Sequence, residues 1–237
     1  MRLPRHSINN ENPKYRVLRF YSSSSKRFTR AAIRNKRIKI KNRGIGGKMN
    51  IEQIMENINL EKIMYVIALN EISGNENVIC KFSYARGISG YSFGRSQFDV
   101  KHNSKARDFL KEKCGFTKSD LDRLLRLDKE ISDLNNKLKN HREDIDELDK
   151  KHIEEMVNYV ANLNELPELE DEKTFVHLVD YHNQFNISKN GLMHNFIKTK
   201  KILKSHDIYD FKLGLKWGKK APQDIKRRYL NIENNWK

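Results

Sequence analysis

The sequence predicts a mainly α fold carrying one small β-hairpin, and three observations predict it. Apolar residues recur at three- and four-residue spacing over most of the chain after Asn50. Capping residues stand ahead of several of these stretches, as at Asn59 and at Thr117-Lys118-Ser119-Asp120. One segment, 78–100, is instead rich in β-branched and aromatic side chains and is punctuated by Gly87 and Gly90. With 237 residues, 37% of them hydrophobic, the chain is long enough to bury the core of one or two domains. No apolar run approaches the roughly 20 residues that span a bilayer, so no transmembrane segment is expected.

The charge is unevenly placed. Residues 1–49 carry a net +14, residues 50–189 a net −6, and residues 190–237 a net +8. Nucleic-acid binding by the body of the protein is therefore not expected. The first 48 residues form a basic leader without apolar periodicity, expected to be disordered, and three readings fit it. Tyr15 to Arg30, Arg- and Ser-rich and acid-poor, has the composition of an organellar transit peptide. A flexible arm for phosphates or an anionic lipid surface has the same composition. In the third reading the leader is not translated: Gly46-Gly47-Lys48-Met49 back-translates to GGN-GGN-AAR-ATG, which can contain a purine-rich ribosome-binding site ahead of a start at Met49, as in a bacterium or its phage.

From there the elements follow in order. Asn59 caps a helix over 60–72 with Leu60, Ile63, Met64, Ile67 and Ala68 on one face, ended by Ser73-Gly74. Val78 to Ala85 and Tyr91 to Val100 form the two strands of the hairpin. Ser104 caps a helix that stops at Gly115, and a capping-box variant at Thr117 and Asp120 starts the next. Ile131, Leu134, Leu138, His141, Ile145, Leu148 and His152 make a narrow 3-4-3-4 stripe, which predicts a long helix or helical hairpin with a helical partner. The ten acids and six bases over 128–155 make its solvated face. Pro167 breaks the pattern, and further helices are predicted over 174–186, 190–204 and 222–234, the last with Pro222 just inside its start. Cys80 and Cys114 can pair or stay free.

Glu71 carries the chemistry. It lies four and eight residues after Ile67 and Ile63, so it continues the apolar face of its helix. Desolvation there favours the protonated acid, which can protonate a leaving group. The structural alternative is that Glu71, in the last turn, swings out to solvent or bonds nearby backbone. Behind it comes the glycine-rich Gly87 to Asp99 segment, GISGYSFGRSQFD.

A glutamate at a helix end followed by Gly90-Tyr91-Ser92-Phe93-Gly94 and Gln97 resembles the lysozyme superfamily, in particular its goose-type lysozyme, lytic transglycosylase and phage endolysin branches. The resemblance covers about residues 60–100 and implies a lysozyme-like α+β domain over 49–237 with a long helical segment at about 118–163. It implies Glu71 as the general acid, Ser92, Gly94 and Gln97 shaping the sugar groove, Arg95 holding an anionic substrate group, and Tyr91 or Phe93 stacking on a sugar, against ordinary hairpin core for each aromatic. The dense polar run Asp180 to Gln184 suits a groove wall, with Asn183 a substrate contact. His182 shares the face of Phe175, Leu178 and Val179 as a core histidine.

Phage lysozymes of the glutamate–aspartate–threonine type place an aspartate in the hairpin, but no carboxylate occurs between Glu76 and Asp99. These two are the candidate second carboxylates, required roughly 5–5.5 Å from the acid in a retaining hydrolase and roughly 6.5–9.5 Å in an inverting one. A single-acid mechanism, with a substrate hydroxyl as nucleophile, fits the residues equally well. The histidines show no metal-ligand spacing, so neither metal nor cofactor is expected. The resemblance therefore implies a monomeric enzyme that cleaves peptidoglycan glycan strands between N-acetylmuramic acid and N-acetylglucosamine. It would be made in the bacterial cytoplasm and act at the wall or periplasm after release, its +8 C-terminal region facing an anionic envelope. The competing reading is a non-enzymatic helical protein, mitochondrial or nucleic-acid-associated through its leader, using the 131–152 stripe for partners.

Overall fold

A computed structural model describes Met49 to Trp236, and the basic leader lies outside the described residues. The elements run α1 (Ile51–Asn57), α2 (Leu60–Ile72), β1 (Ser83–Tyr84), β2 (Tyr91–Phe93), β3 (Phe98–Asp99), α3 (Ser104–Glu112), α4 (Lys118–Arg126), α5 (Ser132–Lys139), α6 (Arg142–Ala161), β4 (Glu168–Leu169), α7 (Glu172–Phe185), α8 (Leu192–Ile197), β5 (Ile202–Leu203), α9 (Ser205–Gly214) and α10 (Pro222–Asn235). The fold is mainly helical with a small antiparallel sheet, as the periodicity predicts. Among the described residues no helix is long and apolar enough to cross a membrane.

Two apolar cores organise the chain, and α2 and α6 pass through both. Ile63, Val66 and Ile67 of α2 and Ile153, Met156, Val157 and Val160 of α6 pack with α1 and α7 to α10. Ala68 and Ile72 of α2 and Ile145 of α6 pack with the sheet and with α3 to α5. Glu71 thus sits where its helix leaves the first core for the second.

The helix at 60–72 has the predicted bounds, with Asn59 Oδ1 accepting from the Lys62 amide at 3.0 Å. Ser73 and Gly74 both adopt the left-handed conformation that ends it. The capping box forms as expected: the Thr117 amide donates to Asp120 at 2.9 Å, and the Asp120 amide donates back to Thr117 at 3.2 Å. The 104–112 helix is capped one residue earlier than expected, by Asn103, whose Oδ1 accepts from Ala106.

The expected two-stranded hairpin is instead a three-stranded sheet in the order β1-β2-β3. Ser83 faces Ser92, which faces Asp99, and Phe93 faces Phe98. The predicted second strand folds back at Gly94 to Gln97, because the buried carboxylate of Asp149 on α6 accepts from the Arg95 amide at 2.8 Å and the Ser96 amide at 3.0 Å. Those amides cannot then serve a ladder. Gly94 takes φ +77°, and a Cβ there would meet the Phe98 ring at 2.9 Å, so only glycine fits. Of the predicted first strand only Ser83 and Tyr84 pair: residues 76–78 form a 3-10 turn capped by Asn75, and residues 79–81 continue it as turn and bend.

The 131–152 stripe is broken at Asn140 and His141 into α5 and α6. Its apolar members face the second core of the same chain, among the helices α3 and α4, and His152 is buried, so the stripe is not open to the partners of the competing reading. The predicted 190–204 helix stops at Ile197, since Ile202 and Leu203 pair in parallel with β4. The unpredicted α9 then starts where the Lys204 amide donates to Asp207 at 3.0 Å. Cys80 and Cys114 are both free thiols, and burial pushes the Cys114 thiol up to about 12.

α7 is the central helix, buried on almost every side, so its polar side chains must find partners inside. His182 is the core histidine expected of it. Its Nδ1 accepts from the Ile187 amide at 2.9 Å, and its ring stacks on Tyr159 at 4.4 Å. Burial drives His182 down to about 3 and His152 of α6 down to about 4, from a usual 6.5. Both imidazoles bind protons less readily folded than unfolded, so the unfolded chain takes up protons first as pH falls. Their neutral burial therefore carries no proton-linked cost above about 6.5 and works against folding increasingly between there and about 4, by on the order of 5 kcal/mol together. Chemical denaturation at pH 7 and at pH 4.5 should show this loss. The slope should flatten in a His152→Gln, His182→Asn double variant, which keeps the relevant hydrogen-bonding atoms but does not titrate.

Candidate active site

Glu71 is neither surrounded by hydrocarbon, as its place on the apolar face implies, nor swung out to solvent. Its Oε1 accepts two charge-orienting bonds: Asn183 Nδ2 of α7 at 3.0 Å and Arg228 Nη2 of α10 at 2.9 Å. The side chain is 20% exposed, and Oε2 has no partner among the described residues. One oxygen is fixed and the other open, a geometry suited to passing a proton at a defined position.

Each partner is held in turn. Asn183 Oδ1 accepts from His152 Nε2 at 3.3 Å, which fixes the amide so that its nitrogen points at Glu71. The His152 ring meets Phe98 edge-on at 5.2 Å, and Asp149, three residues earlier on α6, holds the Gly94 to Gln97 turn. One helix face therefore connects the sheet turn to the glutamate through His152 and Asn183.

On the other side Arg228, 3% exposed, spreads its guanidinium over three residues. Nε and Nη2 reach the Asp180 carboxylate at 3.3 and 2.5 Å, Nη1 reaches the Asn70 carbonyl at 3.2 Å, and Nη2 also reaches Glu71. Asp180, 1% exposed, also accepts from Asn70 Nδ2 at 2.9 Å and from Lys212 Nζ of α9 at 3.4 Å. Burial alone pushes the Asp180 carboxyl up, but Arg228 and Lys212 outweigh it and hold it far below the usual range. Burial lowers Lys212 to about 8 despite the attraction of Asp180. Burial also works against the Arg228 charge, and Asp180 and Glu71 more than restore it.

Of the sequence-predicted groove residues, Ser92 and Gln97 are half-buried, and both amide atoms of Gln97 are bonded within the chain: Ser83 Oγ donates to Oε1 at 2.7 Å, and Nε2 donates to the Gly94 carbonyl at 3.0 Å. Ser83 and Ser92 share the sheet face opposite buried Tyr91 and Phe93. Tyr91 and Phe93 are hairpin core rather than sugar platforms. The Tyr91 hydroxyl donates to the Asp128 carbonyl at 2.8 Å, and Phe93 stacks on Phe109. Arg95 is also corrected: it is buried and its guanidinium faces the chain's own Asp146, Glu76 and Asp149, so it is not available to an anionic substrate group.

Neither candidate second carboxylate is idle. Asp99 Oδ2 accepts from the Gly90 amide at 2.9 Å, and Oδ1 accepts from the Lys101 and His102 amides at 2.8 and 3.1 Å. Glu76 is bonded to Arg142 at 2.6 Å, which holds its carboxyl below the usual range. Among the described residues neither is bonded to Glu71, and no group of three or more His, Cys, Asp or Glu side chains is arranged to hold a metal ion.

Sequence reasoning found Glu71 and Asn183 but not Arg228, His152 or Asp149 as parts of the site, and it took Asp180 only as one member of a polar run. The available signal for Asp180 and Asn183 is their spacing of three residues, which puts them on one face of α7. Comparison with family models, with curated proteins and with solved structures finds no match for this chain.

Proposed function

We propose that this protein is a lysozyme-like glycosidase that cleaves peptidoglycan strands between N-acetylmuramic acid and N-acetylglucosamine, with Glu71 as the general acid. The observation that carries the reading is the Glu71 carboxyl at the end of α2, ahead of the small sheet, with Oε1 anchored by Asn183 and Arg228 and Oε2 open. In the first step Glu71 gives its proton to the glycosidic oxygen as the bond to the anomeric carbon breaks.

The bonds made by Asp99 and Glu76 favour a single-acid second step. The C6 hydroxyl oxygen of the muramic acid residue bonds to its own anomeric carbon, and the hydroxyl proton returns to Glu71. The product end is then an anhydro-sugar, and no water is consumed. Cleavage takes place at the cell wall, after release from the cytoplasm. Lys216, Lys219, Lys220 and Lys226 around the start of α10 support contact with an anionic envelope: all four are exposed and have no acidic partner among the described residues.

Rates on purified cell walls test the division of labour. Asp99→Asn and Glu76→Gln should each lose less than about tenfold in rate, whereas Glu71→Gln loses far more. An inactive but folded Asp99→Asn, together with reducing-end products, would make Asp99 the second carboxylate of a hydrolase.

A further inference from the structure

We propose that Asp180 is a positioning residue that acts on Glu71 through Arg228, setting where the glutamate carboxyl stands; this rests on the reading of Glu71 as the general acid. Asp180 touches no surface on which a glycan could lie. On α7 it is enclosed by three other elements: Asn70 of α2, Lys212 of α9 and Arg228 of α10 all donate to it.

The Arg228 guanidinium is planar, so fixing Nε and Nη2 on Asp180 and Nη1 on the Asn70 carbonyl leaves its orientation no freedom. The remaining reach of Nη2 is then aimed at Glu71 Oε1. Asn70 and Glu71 are neighbours in sequence, and Asn231 Nδ2 bonds Asn70 Oδ1 at 2.9 Å, so the whole end of α2 is clamped to α7 and α10.

The test compares Asp180→Asn, Arg228→Lys and Glu71→Gln on purified walls, with folding checked by near-UV circular dichroism. Folded Asp180→Asn should lose about 10–100-fold in kcat with KM changed less than about threefold. A purely structural role would lower the stability of the variant and leave kcat of the folded protein unchanged. If Asp180→Asn does not fold, Arg228→Lys carries the test: it keeps the charge but loses the fork, so kcat should fall comparably. A folded Asp180→Asn, or failing that a folded Arg228→Lys, with wild-type kcat beside an inactive Glu71→Gln overturns this inference alone. A fully active Glu71→Gln overturns the functional reading and this inference with it.

Discussion

Glu71→Gln is expected to lower the rate of cell-wall clearing by about two to four orders of magnitude, the usual contribution of a positioned acid, while the protein remains folded. Glutamine keeps the shape of the side chain, and its amide oxygen still accepts from Asn183 and Arg228 in place of Oε1. What it loses is a carboxyl that can give up a proton. Weakening of the bond from Arg228 should cost only about 1–2 kcal/mol, because Arg228 retains Asp180. Turbidity of a wall suspension reads the activity and urea denaturation reads the fold. A folded Glu71→Gln that clears walls at the wild-type rate would remove Glu71 from the chemistry.

The largest effect on stability is expected at Asp180. Asp180→Ala leaves Arg228 and Lys212 buried together without the carboxylate that both bond, and breaking a buried pair from one side costs about 3–5 kcal/mol. The contrast lies one turn away on α10. Asp224 and Arg227 form an ion pair at 2.8 Å with both side chains well exposed, and Asp224→Ala should cost less than about 1 kcal/mol. Guanidinium midpoints for the two variants measure both values. Equal, small losses would show that the Asp180 cluster is not a supporting element of the fold.

The helices were legible because their signals are local. Asn59 and Ser73-Gly74 mark both ends of α2, and Thr117 with Asp120 marks the start of α4. The sheet was less legible because its shape depends on Asp149, more than fifty residues away, whose carboxylate takes two amides that a strand would use. In its own neighbourhood Asp149 reads as one more acid on a charged helix.

The same reasoning applies to the site. Glu71 shows itself by interrupting an apolar face, and Asn183 by standing in a dense polar run. Arg228 is one of several bases on a basic terminal helix, and nothing near it in sequence says that its guanidinium is buried against Glu71, 157 residues away. Arg95 misleads for the opposite reason: beside glycines and aromatics it suggests a substrate contact, but the carboxylates that enclose it arrive from α6 and from Glu76. Periodicity reports which face of a helix is buried, and only the tertiary fold reports which charges meet there.

The most direct test of the central claim is mass spectrometry of the glycan fragments released from purified peptidoglycan. Wild-type protein should generate new strand ends at N-acetylmuramic acid, predominantly in the anhydro form, and Glu71→Gln should generate none. Intact glycan strands after prolonged incubation with folded wild-type protein would contradict the account.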